Sequence, residues 1–208
     1  MSLPDDIALR RMTFDAARVE PWRALLSEAE AARYEAFPVE KRKREFLLGR
    51  AALRTLLADR LGGAPEAIRV EVTDDGALEL PDHPLHVSIS HAGDRAVAVA
   101  SRRPVGVDLE RIAERNPDVE RFLLHPDEQP LLDTLPMDRP AAFILCWTLK
   151  EATLKAMGTG LLRSPKKIRL SIDVETHTAR ADAWDGSTWA LQYERIGAHF
   201  LSVAYPAE

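Results

Sequence analysis

Helical and strand-like patterns follow one another in the same order twice along this chain, and this repetition limits the folds open to it. In the first half, helical patterns at residues 19–37 and 39–61 precede short valine-rich strands that end near residue 101. In the second half, a helical stretch and a long helix opened by Pro140 precede four strands between residues 167 and 206. The repetition predicts an α+β pseudo-repeat, in which each half has helices followed by a small antiparallel sheet.

The boundary between the two halves is expected in the "SRRP" stretch at residues 101–104. It divides the chain into an N-terminal subdomain of residues 1–103 and a C-terminal subdomain of residues 104–208. No low-complexity segment or long linker separates them, so we expect the two halves to pack together as one unit.

The composition and charge of the chain limit which partners it is expected to bind and in which compartment it is expected to occur. The chain has 28 basic and 33 acidic residues and a net charge of -5, which argues against a nucleic-acid or membrane footprint over the whole surface. There is no secretory pattern and no long apolar run, so we expect a cytoplasmic protein that does not span a membrane. Cys146 is the single cysteine and lies in the apolar run "FILCW". We interpret it as a buried structural thiol, not a nucleophile.

The segment "VGVDLERI" at residues 105–112 reads as a strand that ends in two acids. Two carboxylates on a buried strand need a compensating charge. Side chains at i and i+2 of a strand point the same way, so Asp108 and Glu110 should share one face. Burial of a carboxylate without a partner is costly. We therefore expect a positive charge to lie between them.

The long helix of the second half carries three polar or aromatic side chains on one face. In "WTLKEATLK", Trp147, Glu151 and Lys155 are spaced at i, i+4 and i+8, with Lys150 beside Glu151 on the edge of that face. By itself, this pattern is more typical of an exposed Glu–Lys pair on an ordinary surface helix. The acids of the preceding strand favour a site instead, because three carboxylates from two segments form an all-oxygen ligand set.

Such a ligand set suits a hard divalent cation such as Mg²⁺, which keeps several waters and completes its coordination with substrate phosphate oxygens. The set therefore predicts a phosphate-bearing substrate. A cation on a pyrophosphate would neutralise the charge that develops as a phosphoester bond breaks, and a nearby lysine would add stabilisation or a proton. Gly106, just before the acids, would let the backbone approach a ligand or a partner closely.

Ser90 and His91 lie at the end of the strand "VSISHAGD". Adjacent side chains of a strand point to opposite faces, so the two cannot form a nucleophile–base couple, and a serine hydrolase is excluded on this basis. Two interpretations of His91 stay open, a turn histidine with its hydrogen bonds satisfied and a donor to phosphate.

Basic residues cluster in "EKRKREFLLGRAALR", from Lys41 to Arg44 and again at Arg50 and Arg54. A short basic run is usually a solvated helix face. The arginine guanidinium is also well suited to bind phosphate through two parallel hydrogen bonds. The cluster is therefore a candidate site for a phosphate or diphosphate.

Taken in order, five segments resemble the surfactin-synthetase type of 4'-phosphopantetheinyl transferase: "FLLGRAALR", "VSISHAGD", "GVDLERI", "FLLHPDE" and "WTLKEATLKAMGTGL". The resemblance covers roughly residues 20–172. Its most specific part is the G-V-D-L-E motif followed some 40 residues later by W-T-x-K-E-A-x-x-K.

The resemblance implies a pseudo-dimeric α+β fold of two similar subdomains, with coenzyme A bound in the cleft between them. It implies transfer of the phosphopantetheine arm to a serine of an apo carrier protein, with release of 3',5'-ADP. It also implies Mg²⁺, or Mn²⁺ in its place, held by Asp108, Glu110 and Glu151. The carrier would belong to polyketide, nonribosomal peptide, fatty acid or lysine-pathway synthesis, and the sequence does not choose among these.

Matching positions imply a role for most of the remaining site residues. Glu151 would also be the candidate base that accepts the proton of the serine, directly or through a water. Asp108 would be a catalytic residue as well as a metal ligand. Lys155 would neutralise the phosphates or protonate the departing phosphate, with Lys150 beside them. Ser90 and His91 would hold the 3'-phosphate or pyrophosphate end of coenzyme A. Arg44 and Arg50 are expected as further coenzyme contacts because they belong to the basic cluster, not because their positions match.

The chain departs from its relatives at one coenzyme contact. Relatives commonly carry a G-K-P tripeptide before the Ser-His strand, and Ala77 stands where its lysine would be. The basic residues of "EKRKRE" are the expected substitutes. A magnesium-dependent pyrophosphate or nucleotide hydrolase and an inactive binding module remain as alternatives. An internally duplicated chain can build its cleft alone, so we expect a monomer.

Overall fold

A computed structural model describes residues 1–74, 76–159 and 163–207 of the chain. The helices and strands of the first half are β1 (Ala8–Thr13), α1 (Val19–Arg23), α2 (Glu28–Ala36), α3 (Glu40–Leu61), β2 (Glu71–Val72), β3 (Leu78–Glu79), β4 (His86–Ala92) and β5 (Arg95–Ser101). Those of the second half are β6 (Gly106–Arg111), α4 (Pro117–Leu123), α5 (Gln129–Thr134), α6 (Arg139–Ala156), β7 (Arg169–Asp173), β8 (Thr178–Asp182), β9 (Thr188–Ile196) and β10 (His199–Pro206).

Each half packs one long helix on an antiparallel sheet. The first sheet has the strand order β1-β5-β4 and the second the order β6-β10-β9-β8-β7, while β2 and β3 pair as a short separate hairpin. Leu53 and Leu57 of α3 pack against Ala98 and Ala100 of the first sheet. Residues of α6 such as Leu149 pack against the second sheet. The predicted α+β class, with helices on small antiparallel sheets, is confirmed.

Two of the predicted helices are broken in the structure. The pattern at residues 19–37 predicted a single helix, but α1 ends at Arg23 and α2 begins at Glu28. The reason is Ser27, whose hydroxyl accepts from the Glu30 amide while the Glu30 carboxylate accepts from the Ser27 amide, a capping box that starts a new helix. The helical stretch at residues 118–135 breaks in the same way where extended His125 precedes Pro126.

Cys146 is fully buried in α6, and burial raises the pKa of its thiol to about 12. This confirms that it is a structural thiol. In the described part of the chain, no helix is both long enough and apolar enough to cross a lipid bilayer.

The two halves meet along an apolar layer and along the pair β4 and β6. Val97 and Val99 of the first sheet pack with Val107, Leu109 and other residues of the second. Serine hydroxyls join the two strands, which belong to different sheets.

The Ser88 hydroxyl accepts from the Val107 amide at 3.2 Å, and the Ser90 hydroxyl accepts from the Leu109 amide at 3.1 Å. We call these two hydrogen bonds the serine seam. They hold the ends of β4 and β6 side by side, and the candidate site lies at those ends.

Gly106 brings α6 against β6. A Cβ atom at this position would collide with the backbone oxygen of Ala152 and the backbone nitrogen of Ala156. The element that approaches Gly106 is therefore a helix of the same chain. This close packing places Glu151 and Lys155 over the acidic end of β6.

Candidate active site

A cleft of about 300 Å³ opens where β4, β6 and α6 converge. It is lined by Ile89, Ser90, His91, Asp108, Glu110, Trp147, Glu151 and Lys155. The structure therefore brings together the strand acids, the three-residue face of the helix and the Ser-His pair. We call this the acidic cleft.

Asp108 is the most constrained side chain of the acidic cleft and is only 4% exposed. Its Oδ1 accepts from the Ser90 hydroxyl at 2.9 Å and from Lys155 Nζ at 2.7 Å. Lys155 also donates to the Val107 carbonyl at 3.1 Å. The other oxygen, Oδ2, is buried and has no hydrogen-bond partner among the described residues, which is costly unless a ligand satisfies it.

The carboxylates of the acidic cleft destabilise one another's charged forms. Burial, followed by the charge of Asp108, raises the pKa of Glu151 to about 7, and Lys155 only partly opposes the shift. Burial and Asp108 also raise the pKa of Glu110. Burial and the neighbouring carboxylates therefore both disfavour the charged forms of these acids, which an additional cation would stabilise.

The expected positive charge near the strand acids comes from two residues of the protein. Lys155 pairs with Asp108, and Arg115 pairs with Glu110 at 3.2 Å. The Arg115 guanidinium also lies 5.9 Å from the ring centre of Trp147. Sequence reasoning missed Arg115, because nothing in the loop after β6 marks one basic residue as the partner of Glu110.

The fit of a divalent cation rests on the chemistry of these oxygen atoms. In residues 1–74, 76–159 and 163–207, no three His, Cys, Asp or Glu side chains are close enough to form a ready-made metal site. Asp108, Glu110 and Glu151 nevertheless line one cleft, and Asp108 Oδ2 has no hydrogen-bond partner in the described part of the protein. A set of carboxylate oxygens with an unsatisfied buried member fits Mg²⁺, which keeps waters in its shell.

A second cleft of about 510 Å³ continues from the first and shares Ile89 and His91 with it. Its other lining residues are Arg33, Phe37, Arg42, Glu45, Phe46, Arg50, Val72, Gly76 and Leu78. We call this the arginine cleft, because three guanidinium groups line it. Arg50 was a predicted ligand and Arg42 belongs to the basic run, whereas Arg33 of α2 was not singled out.

His91 stands between the two clefts and is half-buried. Burial lowers the pKa of its imidazole, which Lys155 and Arg42 lower further and Glu45 opposes. A neutral imidazole in this position can still donate one hydrogen bond to an anion.

Lys150 does not lie beside the other site residues, contrary to its predicted place. It is fully buried, and its Nζ donates to Glu128 Oε2 at 2.5 Å and to the carbonyls of Leu123 and Pro165 at 3.2 Å. One step along a helix rotates a side chain by about 100°, which turns Lys150 from the acidic cleft into the core. Its contacts are structural.

Arg44 and Ser90 also differ from their predicted roles. Arg44 stacks on Phe14, with the guanidinium carbon 4.3 Å from the ring centre, and it does not line either cleft. Ser90 does line the acidic cleft, but its hydroxyl is already engaged with Asp108 and the Leu109 amide. It positions an acid of the site.

The loop that lacks the expected lysine borders the arginine cleft. Val72, Gly76 and Leu78 of the β2–β3 hairpin line it, and the Ala77 amide donates to the Thr73 hydroxyl at 3.0 Å. The positive charge of the cleft comes from the other side, from α2 and α3. Arg42 of the "EKRKRE" run lines this cleft, and its substitution for the lysine stays a prediction.

Sequence comparison now identifies the family. Residues 27–101 match the 4'-phosphopantetheinyl transferase N-terminal domain, and residues 104–204 match the 4'-phosphopantetheinyl transferase superfamily. The chain is 32% identical over 201 residues to the 4'-phosphopantetheinyl transferase HetI of Nostoc sp., an alignment that covers 91% of this chain and 82% of that protein. The chain belongs to the 4'-phosphopantetheinyl transferase superfamily.

Two further proteins are similar to this phosphopantetheinyl transferase. The L-aminoadipate-semialdehyde dehydrogenase-phosphopantetheinyl transferase of Schizosaccharomyces pombe is 24% identical, over 94% of this chain and 88% of that protein. A crystal structure of holo-[acyl-carrier-protein] synthase from Neisseria meningitidis matches 50% of this chain and 98% of its own, with a TM-score of 0.41 and 16% identity. The predicted family and enzyme class are confirmed by the family matches and by the alignment with the Nostoc transferase.

Proposed function

We propose that this transferase moves the 4'-phosphopantetheine arm of coenzyme A to a serine hydroxyl of an apo carrier protein, depends on Mg²⁺, and releases 3',5'-ADP. The observation that carries the proposal is the junction of the two clefts. Asp108, Glu110, Glu151 and Lys155 line one of them, three arginines line the other, and His91 borders both.

Coenzyme A has two separate anionic groups, which match this pair of clefts. The pyrophosphate would lie in the acidic cleft against Lys155, where a bond to phosphorus is broken. The 3'-phosphate of the ribose would lie in the arginine cleft, where Arg33, Arg42 and Arg50 supply forked donors. His91 would donate to a phosphate at the border of the two clefts.

Asp108, Glu110 and Glu151 would hold the divalent cation, with Mg²⁺ favoured and Mn²⁺ as the alternative. When bound, the cation would neutralise the negative charge of the pyrophosphate oxygens. It would also stabilise the charged forms of Glu110 and Glu151, whose pKa values are raised by burial and, second, by the charge of Asp108.

In the transfer step, the serine oxygen of the carrier forms a bond to the phosphorus that bears the pantetheine arm. The bond from that phosphorus to the oxygen of 3',5'-ADP breaks. Glu151 accepts the serine proton, directly or through a water, because it lines the same cleft as Lys155 and lies one helical turn from it on α6. Lys155 stabilises the departing phosphate or gives it a proton.

The test is mass spectrometry of apo carrier proteins after incubation with the enzyme, coenzyme A and Mg²⁺. We expect at least one carrier of polyketide, nonribosomal peptide, fatty acid or lysine-pathway type to gain the phosphopantetheinyl mass. Asp108→Asn serves as the matched inactive variant. Release of 3',5'-ADP without a carrier would favour a hydrolase, and no gain of mass on any carrier would contradict the proposal.

We also propose that the division at residues 103 and 104 separates two subdomains and that a monomer is the active species. Support comes from the serine seam and the apolar layer, which join the halves within one chain. Light scattering of the active enzyme tests the monomer, and a stable dimer would contradict it.

A further inference from the structure

Behind the arginine cleft, one buried carboxylate is shared by two arginines of α3. Glu30 of α2 is 8% exposed, and its Oε2 accepts from Arg54 Nε and from the Ser27 amide at 3.2 Å. Its Oε1 faces Arg50 Nε at 3.5 Å and has no hydrogen-bond partner in the described chain. Glu30 therefore contacts both guanidinium groups but forms a hydrogen bond with only one.

Arg54 has more hydrogen bonds than Arg50, and only its Nη2 is buried without a partner among the described residues. The Arg54 side chain is fully buried, and its Nη1 donates to the carbonyls of Pro65 and Ile68. These bonds and the one to Glu30 fix its guanidinium inside the protein. Arg54 is therefore an anchor for the Glu30 carboxylate and does not line the arginine cleft.

Arg50 is the less satisfied member of the pair. It is 5% exposed, yet its Nε and Nη1 have no hydrogen-bond partner among the described residues. Its guanidinium lines the arginine cleft and lies 5.4 Å from the ring centre of Phe46. Burial lowers its pKa, and the charges of Arg33 and Arg54 lower it further. A buried guanidinium with unused donors beside an open cleft fits an anionic ligand.

The spacing of the two arginines explains why Glu30 is needed. Arg50 and Arg54 are four residues apart on α3 and therefore lie on the same face, where like charges repel. The Glu30 carboxylate lies against both and offsets this repulsion. Without it, Arg50 would turn away from Arg54 and lose its present direction toward the cleft.

We propose that Glu30 is a positioning residue that acts through Arg50. By holding the Arg50 guanidinium, it keeps this group in the wall of the arginine cleft, where the 3'-phosphate of coenzyme A would bind, and sets the preference for coenzyme A over 3'-dephospho-coenzyme A. This inference rests on the proposed function, because it takes the arginine cleft as the site of the 3'-phosphate.

The experiment compares kcat/KM for the two coenzymes in Glu30→Gln, in Arg50→Gln and in the double variant. We expect each single variant to lower kcat/KM for coenzyme A by about 10–100-fold, chiefly through KM, because hydrogen bonds to charged groups are lost. The value for 3'-dephospho-coenzyme A should change by less than about 3-fold. In the double variant, Glu30→Gln should add nothing to the effect of Arg50→Gln.

Two further variants separate positioning from folding. Glu30→Asp keeps the charge beside Arg54 but withdraws it from Arg50, so we expect a folded protein with reduced preference. Glu35→Gln is the control, because Glu35 lies on the same helix but pairs at the surface with Arg23 and Lys43. Calorimetry without divalent cation should show the same loss for 3',5'-ADP binding and little change for 5'-AMP.

Equal losses on both coenzymes, additive effects in the double variant, or an unchanged preference in Glu30→Gln and Glu30→Asp would overturn the inference. Each of these results is obtained while wild-type transfer to a carrier is intact, so the proposed function would still stand. Failure of the wild-type enzyme to modify any carrier would instead remove the proposed function.

Discussion

Ser90 and Asp108 lie on strands of different sheets, and the Ser90 hydroxyl donates to Asp108 Oδ1 at 2.9 Å. The same hydroxyl accepts from the Leu109 amide. One side chain of the first half therefore fixes both the backbone and the carboxylate of the strand that carries the candidate metal ligands.

Ser90→Ala should reduce turnover and Mg²⁺ affinity by about 10–100-fold, because outer-shell partners of metal ligands commonly have effects of this size. It should also lower the free energy of unfolding by about 1–2 kcal/mol through the loss of buried hydrogen bonds. Ser88→Ala is the matched control, because it removes the neighbouring bond of the serine seam without touching Asp108. Steady-state kinetics at varied Mg²⁺ and urea unfolding measure both effects. If the two variants have equal turnover, Ser90 does not position Asp108.

The Lys150→Met variant should have a much lower free energy of unfolding than wild type. Its folded fraction should still bind coenzyme A normally. Removal of the ammonium leaves Glu128 as an unpaired buried charge, which costs about 3–5 kcal/mol. Glu128 also accepts from the His125 and Leu170 amides, so the pair joins the α4–α5 segment to α6 and β7. Burial lowers the pKa of Lys150, and Glu128 opposes that shift.

The double variant Lys150→Met with Glu128→Leu should recover part of the lost stability, because no unpaired charge remains. Urea unfolding and the KM for coenzyme A are the measurements. A large rise in KM in a fully folded variant would instead indicate a contact between Lys150 and the coenzyme.

Glu151 should make the stability of the metal-free enzyme fall with rising pH. Its folded-state pKa is about 7 against an ordinary value of 4.5, so the folded protein holds a proton that the unfolded chain releases. The stabilising contribution is complete below about pH 4.5 and is lost as the pH rises through about 7.

Glu151→Gln cannot lose a proton. In EDTA, the free energy of unfolding of this variant minus that of wild type should increase by about 1–3 kcal/mol between pH 5 and pH 8. Glu175→Gln, at an exposed position before β8, is the control and should show no such gain. Parallel pH profiles for wild type and Glu151→Gln would refute the raised pKa.

Gly106→Ala should destabilise the protein by at least about 2 kcal/mol, because the added methyl group meets the backbone of α6. Activity should fall as well, since α6 carries Glu151 and Lys155. Gly49→Ala in α3 is the matched control, because a Cβ there would lie at an ordinary 3.4 Å from the end of the Ile89 side chain. That variant should stay within about 1 kcal/mol of wild type. Thermal unfolding and turnover test both, and a Gly106→Ala enzyme of normal stability would contradict the packing argument.

Local periodicity was sufficient to predict which side chains share a face within β6 and within α6, and the resemblance to the family indicated that the two faces meet. The i and i+2 spacing of Asp108 and Glu110, and the i, i+4 and i+8 spacing of the α6 residues, depend only on strand and helix geometry. The long helix α3 and the strands of the second half followed from equally regular patterns. The edge strand β1 was not predicted, because its sequence "ALRRMT" has two adjacent arginines that interrupt the alternation.

Partners distant in sequence could not be predicted. Lys150 is adjacent to Glu151 in the sequence. The local sequence does not show that its ammonium binds Glu128 and two backbone carbonyls in the core. The same holds for Arg33 and Arg115, single basic residues without a pattern. Glu30 follows the cap of α2 like an ordinary helix-start acid, and only the packing of α2 on α3 reveals that it contacts two arginines.

The serine seam has a consequence for which molecules the enzyme can accept. Because the acidic side chains belong to one half and the arginines to the other, the two hydrogen bonds between β4 and β6 help to fix the spacing between the acidic cleft and the arginine cleft. If both clefts bind anionic groups, as proposed, a molecule whose charged groups are spaced too closely or too far apart would reach only one cleft at a time.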